Sequence, residues 1–183
     1  MDRLKAVIMD EKAVGRALIR MAHEITERND GTEDLVLVGI RRRGKPLADR
    51  LAEAIGSFEG VRPPCGELDI NFYRDDLTRV SDQPVLEKTE LPFSVVDKTV
   101  VLVDDVLYTG RTVRAAIEAV FSQGRPKAIE LAILIDRVHR ELPIRADFVG
   151  KSIPTSHREF VSVCIPPYDE GTGVLLLEKE ETV

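Results

Sequence analysis

The chain has 183 residues, of which 43% are hydrophobic and 32% charged, with 26 basic against 32 acidic side chains and a net charge of −6. That length favours one domain around a single core, and the composition excludes a disordered chain. The acidic balance excludes a nonspecific nucleic-acid coat as the main activity, though not a local basic patch, and no apolar run reaches the roughly 18–20 residues that cross a bilayer.

The first ten residues, MDRLKAVIMD, carry neither a long apolar run nor a small-residue cleavage site, so no secretion signal is read there. Cys65 and Cys164 stand alone, with no CxxC pair. A disulfide framework and a cysteine-ligated zinc are therefore unexpected, and a cytoplasmic chain fits best. Asp10 is placed to cap a helix running to about Asn29, with Gly31 as its stop. Val14, Leu18, Met21 and Ile25 fall on one face of it; Lys12, Arg16, Arg20, His23 and Glu27 fall opposite. Leu35–Ile40 is a short apolar run that reads as a buried parallel strand. After the turn RRRG, Pro46 suits a first helical turn, and Leu47, Leu51 and Ile55 recur every four residues. Alternating Leu68, Ile70 and Phe72 predict a strand over Glu67–Tyr73, completing a βαβ unit.

Residues from about 74 to 92 are polar and read as a long loop or flap. Thr99–Val103 is a buried strand; Val113, Ile117 and Val120 mark the helix after it, ended by Gly124; Ala128–Ile135 is a further buried strand. An arginine-rich loop, Arg137–Arg145, leads to a short strand near Asp147–Val149. Glu159–Ile165 and Gly173–Glu178, split by PPYDEGTG, predict a hairpin or edge addition. The expected fold is α/β: one domain over residues 1–183, a mostly parallel sheet flanked by helices, and a small hood from about 137 to 183.

The chemistry concentrates in VVLVDDVLYTGRT, Val100 to Thr112. An apolar strand delivers two adjacent carboxylates, Asp104 and Asp105, to its carboxyl end, where open α/β sheets bind ligands. The loop Val106–Arg111 then opens into a helix, whose N-terminal N–H groups form an anion site. Gly110 allows close backbone approach, Thr109 and Thr112 add hydroxyls, and Arg111 adds charge. Carboxylates beside a phosphate cradle repel the phosphate unless a hydroxylated neutral group or a metal lies between. The local reading is a ribose 5-phosphate pocket, against the plainer one in which the acid pair only caps a helix. Gly39–Pro46, GIRRRGKP, nearly matches a P-loop but has proline where the Mg²⁺-binding hydroxyl belongs, so a nucleotide triphosphatase is rejected.

The segment Val100–Thr112 resembles the ribose-phosphate loop of the type I phosphoribosyltransferases. The wider chain is similar to their PyrR family, pyrimidine-operon regulators that are also uracil phosphoribosyltransferases. The likeness rests on AHEITERN (Ala22–Asn29), LVLVGIRRRG (Leu35–Gly44), LDINFYRDDL (Leu68–Leu77), VLVDDVLYTGRTVRAA (Val101–Ala116) and DRVHRELPIRADFVGKSIPTS (Asp136–Ser156). It implies that Asp104 and Asp105 hold the ribose hydroxyls, and that Val106, Leu107, Tyr108, Thr109, Gly110, Arg111 and Thr112 hold the 5′-phosphate. It makes Arg41, Arg42, Arg43 and Gly44 a diphosphate loop, in which relatives often carry a cis peptide. It puts a mobile flap at Tyr73–Asp76, with Arg74 as a diphosphate clamp and Asp75 and Asp76 as open candidates for Mg²⁺. Val106, Arg137, Phe148 and Val149 become base contacts, Phe148 competing with a reading as a core residue. Asp104, Asp105, Arg42 and Arg74 are the catalytic candidates; the metal ligands are not identified.

The implied substrates are PRPP and uracil, with Mg²⁺, and the implied regulators are UMP and UTP. The implied partner is a pyr leader mRNA hairpin contacted by Arg16, Arg20, His23 and Arg28, in a homodimer or higher assembly. The competing reading of the helix is a solvated charged face, and that of the whole chain is a phosphoribosyltransferase for another base with no RNA role. Four residues depart from the relatives. Tyr108 replaces the carboxylate that purine-using enzymes have beside the base, which favours a base such as uracil that loses its proton readily. Val138 replaces a glycine, a change expected to alter the loop's φ and weaken base binding. Gly15 and Ile19 stand where arginine and threonine are familiar.

Overall fold

A computed structural model describes residues 2–70 and 91–179. Its centre is a five-stranded parallel sheet in the order β3-β2-β4-β5-β6, formed by β2 (Leu35–Ile40), β3 (Cys65–Leu68), β4 (Thr99–Leu107), β5 (Ala128–Asp136) and β6 (Phe148–Ser152). Successive side chains of a strand point to opposite faces, and these strands are apolar on both. Leu35, Leu37, Val101, Val103 and Ala132 face one core, shared with α1 (Glu11–Arg28) and α2 (Gly44–Glu59). Val36, Val38, Ile40, Val100, Leu102, Leu131 and Ile133 face the other, shared with α3 (Arg111–Gln123). Each fully buried Leu or Ile in these layers withdraws apolar surface worth about 1.5–3 kcal/mol.

The helices form where capping and periodicity predict. Asp10 Oδ1 accepts a 2.7 Å bond from Ala13 N, and Val14, Leu18, Met21 and Ile25 all face the core. A second, antiparallel sheet, β1-β8-β7, joins β1 (Arg3–Met9) to the hairpin of β7 (Glu159–Cys164) and β8 (Gly173–Glu178).

Several boundaries differ from expectation. β1 has no counterpart among the expected elements, because only Met9 in it is buried and its partner β8 lies far along the chain. β3 starts and ends earlier than Glu67–Tyr73, because it pairs with Leu37–Ile40 of β2 and goes no further than that partner. Asp69 and Ile70 follow it outside any strand; 71–73 of the expected strand lie outside the described residues, as does nearly all of the expected flap. β4 continues past Val103 to Leu107, held by pairing with β5 through Leu107↔Asp136. Asp104, Asp105, Val106 and Leu107 are therefore strand residues, and the loop between β4 and α3 shrinks to Tyr108–Gly110. β6 spans Phe148–Ser152 rather than ending at Val149. The antiparallel sheet is not purely C-terminal, since β1 forms one of its edges.

Candidate active site

The acid pair sits in the carboxyl-terminal part of β4, with Asp104 only 7% exposed. Each carboxylate folds back on the following amide: Asp105 N donates to Asp104 Oδ1 and Val106 N to Asp105 Oδ1, both at 2.9 Å. Local backbone therefore orients both side chains before any ligand arrives, and Asp105 Oδ2 has no hydrogen-bond partner among the described residues. The chain then turns through Gly110, whose φ of 95° favours glycine, directly into α3. Residues 106–113 and Glu141 line a cavity of about 310 Å³. The N-terminus of α3, where Arg111 N donates to Thr109 Oγ1 at 3.3 Å, and the Arg111 guanidinium give it the character of an anion cradle.

The arginine loop abuts the acid pair. A Cβ added to Gly44 would lie 2.4 Å from Val103 O and 3.4 Å from Asp104 Cα, so only glycine allows this approach. The Arg41–Arg42 peptide is cis. Arg41 pairs with Asp69 at 3.1 Å, and Arg41 N donates to Leu68 O at 3.0 Å. Arg43 makes a two-pronged bond to Asp169, Nε to Oδ2 and Nη2 to Oδ1, each 3.0 Å. That bond raises the Arg43 pKa, and the guanidinium holds the Asp169 carboxyl below its usual range. Arg42 is exposed and has no side-chain partner among the described residues, which leaves it as the loop's uncommitted cation. Arg74, Asp75 and Asp76 lie outside the described residues.

The base side departs from expectation. Phe148 is 3% exposed within the core beside α1, with the Arg28 guanidinium carbon 5.8 Å from its ring centroid, so it offers a base no open face. Arg137 is also buried; it donates to Thr155 Oγ1 and to Glu159 O, and its guanidinium carbon lies 4.1 Å from the Tyr108 ring centroid. Burial lowers its pKa, and the fixed partners make it a brace beneath Tyr108. Val149 lends its carbonyl to Arg20. Of the four expected base contacts, only Val106 lines the cavity, where it is joined by Tyr108. Tyr108 meets His139 edge-on at 5.7 Å, and His139 lies 4.8 Å from His157. Val138 keeps a φ of 77°, so the backbone retains the glycine-type conformation with a β-branched residue in it.

The basic stripe of α1 is only partly free. Arg20 donates to Val149 O and Gly150 O at 3.0 and 2.7 Å and pairs with Glu24 at 2.8 Å. Arg28 pairs with Glu130 and Asp147 at 3.0 and 2.9 Å. His23 stacks on Phe58, centroids 3.9 Å apart. Lys12 and Arg16 are exposed and have no side-chain partner among the described residues.

Among the described residues, no group of three or more His, Cys, Asp or Glu could hold a metal by itself. Asp104 and Asp105 are two adjacent hard oxygen donors, and Mg²⁺ is a cation that takes one or two carboxylates and completes its octahedron with water and substrate phosphate oxygens. Burial, followed by the nearby Asp49, pushes the Cys65 thiol up to about 12, which disfavours the thiolate.

Three residues that sequence reading passed over converge here. Glu141 reaches Arg111, Asp169 reaches Arg43, and Arg140 donates to Tyr108 O at 2.9 Å. No local spacing signals them, since their partners are separated by 30, 126 and 32 positions.

Comparison with known proteins places the whole chain in a family. The family model for the phosphoribosyl transferase domain matches residues 7–168. The chain is 61% identical over 181 residues to a Bifunctional protein PyrR from Pelotomaculum thermopropionicum, covering 99% of this chain and 100% of that one. It is 59% identical over 177 residues to a protein of the same name from a Thermoanaerobacter species, covering 97% and 99%. In fold it is similar to the hypoxanthine phosphoribosyltransferase of Trypanosoma cruzi, with a TM-score of 0.73 at 20% identity over 97% of this chain and 98% of that one. The acid pair, its cradle and the arginine loop against it thus lie in a chain that belongs to the phosphoribosyl transferase domain family and, within it, to the PyrR proteins.

Proposed function

We propose that the chain transfers a phosphoribosyl group from PRPP to uracil, giving UMP and diphosphate, and that the same pocket senses UMP or UTP for an RNA-binding regulator of pyrimidine genes. The observation that supports the reading is the abutment of Gly44 on Val103 and Asp104, which brings the arginine loop against the acid pair. Asp104 and Asp105 accept from the ribose hydroxyls. The N–H groups of 108–112 and Arg111 take the 5′-phosphate and hold the sugar still while C1 passes from diphosphate to base, an orientation effect. Arg42 faces the charge that develops on the leaving diphosphate, an electrostatic effect. When bound, Mg²⁺ would supply further neutralisation of that diphosphate. The base enters beside Val106 and Tyr108. Tyr108 brings no carboxylate to deprotonate it, which suits uracil, whose own N–H is acidic. Lys12 and Arg16 are the uncommitted cations of α1 for RNA phosphates.

The test is a uracil–PRPP assay with UMP and diphosphate as products, beside a labelled pyr leader hairpin titrated with and without UMP at two salt concentrations. UMP formation, and RNA binding that tightens with UMP, are the expected results. A protein that turns over hypoxanthine but not uracil refutes the base assignment. RNA binding indifferent to UMP and abolished by salt refutes the regulator.

A further inference from the structure

The cradle already contains an anion. Glu141 Oε2 accepts from Arg111 Nε at 2.8 Å and lies 2.7 Å from Arg111 Nη2, and Glu141 lines the same cavity as residues 106–113. Its placement is built in: Glu141 N and Leu142 N both donate to Thr109 O, at 3.0 and 3.2 Å, so the residue is pinned to the cradle loop by its own backbone. Arg140 beside it donates to Tyr108 O at 2.9 Å and to Asp136 Oδ1 at 2.6 Å, bracing the other side. The pair itself is weakly held, because the Arg111 and Glu141 side chains are 42% and 52% exposed and water screens them. A phosphate dianion is a stronger ligand for a guanidinium than a solvated carboxylate is.

We infer that Glu141 is an internal counter-anion of the cradle, which holds Arg111 when the pocket is empty and competes with the 5′-phosphate of any entering ligand. The inference rests on the reading of 106–112 as the 5′-phosphate site. Substrate PRPP and product UMP both carry that phosphate, so the competition weakens both. Weakening common to ground and transition states raises KM without lowering the chemical rate and speeds release of product. For a nucleotide sensor the same competition sets the UMP concentration at which the pocket fills.

The experiment is equilibrium binding of UMP and of inorganic phosphate to the wild type, to Glu141→Gln and to Glu53→Gln, which removes one exposed negative charge from α2. Steady-state kinetics of the same proteins accompany the binding. Glu141→Gln is expected to tighten UMP and phosphate about three- to tenfold and to lower the KM for PRPP by a similar factor, with the KM for uracil unchanged; Glu53→Gln should match the wild type. Equal UMP affinity in Glu141→Gln and wild type overturns the inference while leaving the site reading intact, and so does an equal gain in Glu53→Gln, which marks a general charge effect. Failure of every protein to bind UMP overturns the site reading itself, and the inference with it.

Discussion

The cradle at the end of β4 and the basic face around α1 use charge in different ways. In the cradle, the acids and the anion-binding amides come from one unbroken segment, and the backbone holds them: each aspartate is fixed by the next amide, and Gly110 sets the entry to α3. On the basic face, charge is carried by long side chains, and what each can do depends on distant partners. Arg20 is spent on two carbonyls of β6 and Arg28 on Glu130 and Asp147, whereas Arg16 stays open. A cation in a sequence is thus not yet a cation available to a ligand.

The largest effect should come from the contact that joins the arginine loop to the acid pair, the two halves of the proposed site. Gly44→Ala forces a methyl onto the Val103 carbonyl, at a cost of about 3 kcal/mol or more, and a melting curve should fall by roughly 10 °C with loss of activity. Next, Asp105→Asn keeps size and fold but removes the charge. UMP formation should drop about 100-fold with Tm nearly unchanged, and a large Tm loss would mean that the acid pair is structural.

The basic face divides more finely. Arg28→Ala strips both carboxylates of an ion-pair partner, with Glu130 nearly buried, and should cost about 1–2 kcal/mol in denaturant unfolding. Arg16→Ala should leave stability alone and reduce the slope of log RNA affinity against log salt by about one. If the two variants behave alike, the division between braced and open arginines is wrong.

The Arg43–Asp169 clamp predicts a pH signature. Its folded carboxyl titrates below the unfolded value, so its stabilisation is present above the ordinary carboxylate pKa of about 4 and is lost as pH falls through the lowered folded value. Asp169→Asn should therefore be less stable than wild type by about 1 kcal/mol at neutral pH, because the pair is partly exposed, and the gap should close in acid. Smallest is Val138→Gly. It relieves a β-branched residue at φ 77° but adds freedom to the unfolded chain, for a net gain of about 0.5–1 kcal/mol read as a Tm rise of a few degrees.

Much of this was open to reading along the chain. β2, α1, α3 and most of β5 were legible because buried parallel strands are continuous apolar runs and helices repeat every 3.6 residues. The acid pair with the turn into α3, and the arginine loop, could be picked out for a related reason: each is one unbroken run of residues, so its proposed role could be read from consecutive positions. What tertiary structure decided was partnership. β1 became a strand because β8 came to lie beside it, and β4 ran on through the acids because β5 did. Phe148 turned inward beneath Arg28, Arg137 became a brace for Tyr108, and Glu141 and Asp169 reached the cradle and the arginine loop. Backbone conformation and burial periodicity are local properties, written within a dozen residues; the pairing of a charged or aromatic side chain depends on residues that folding alone brings within a few ångströms.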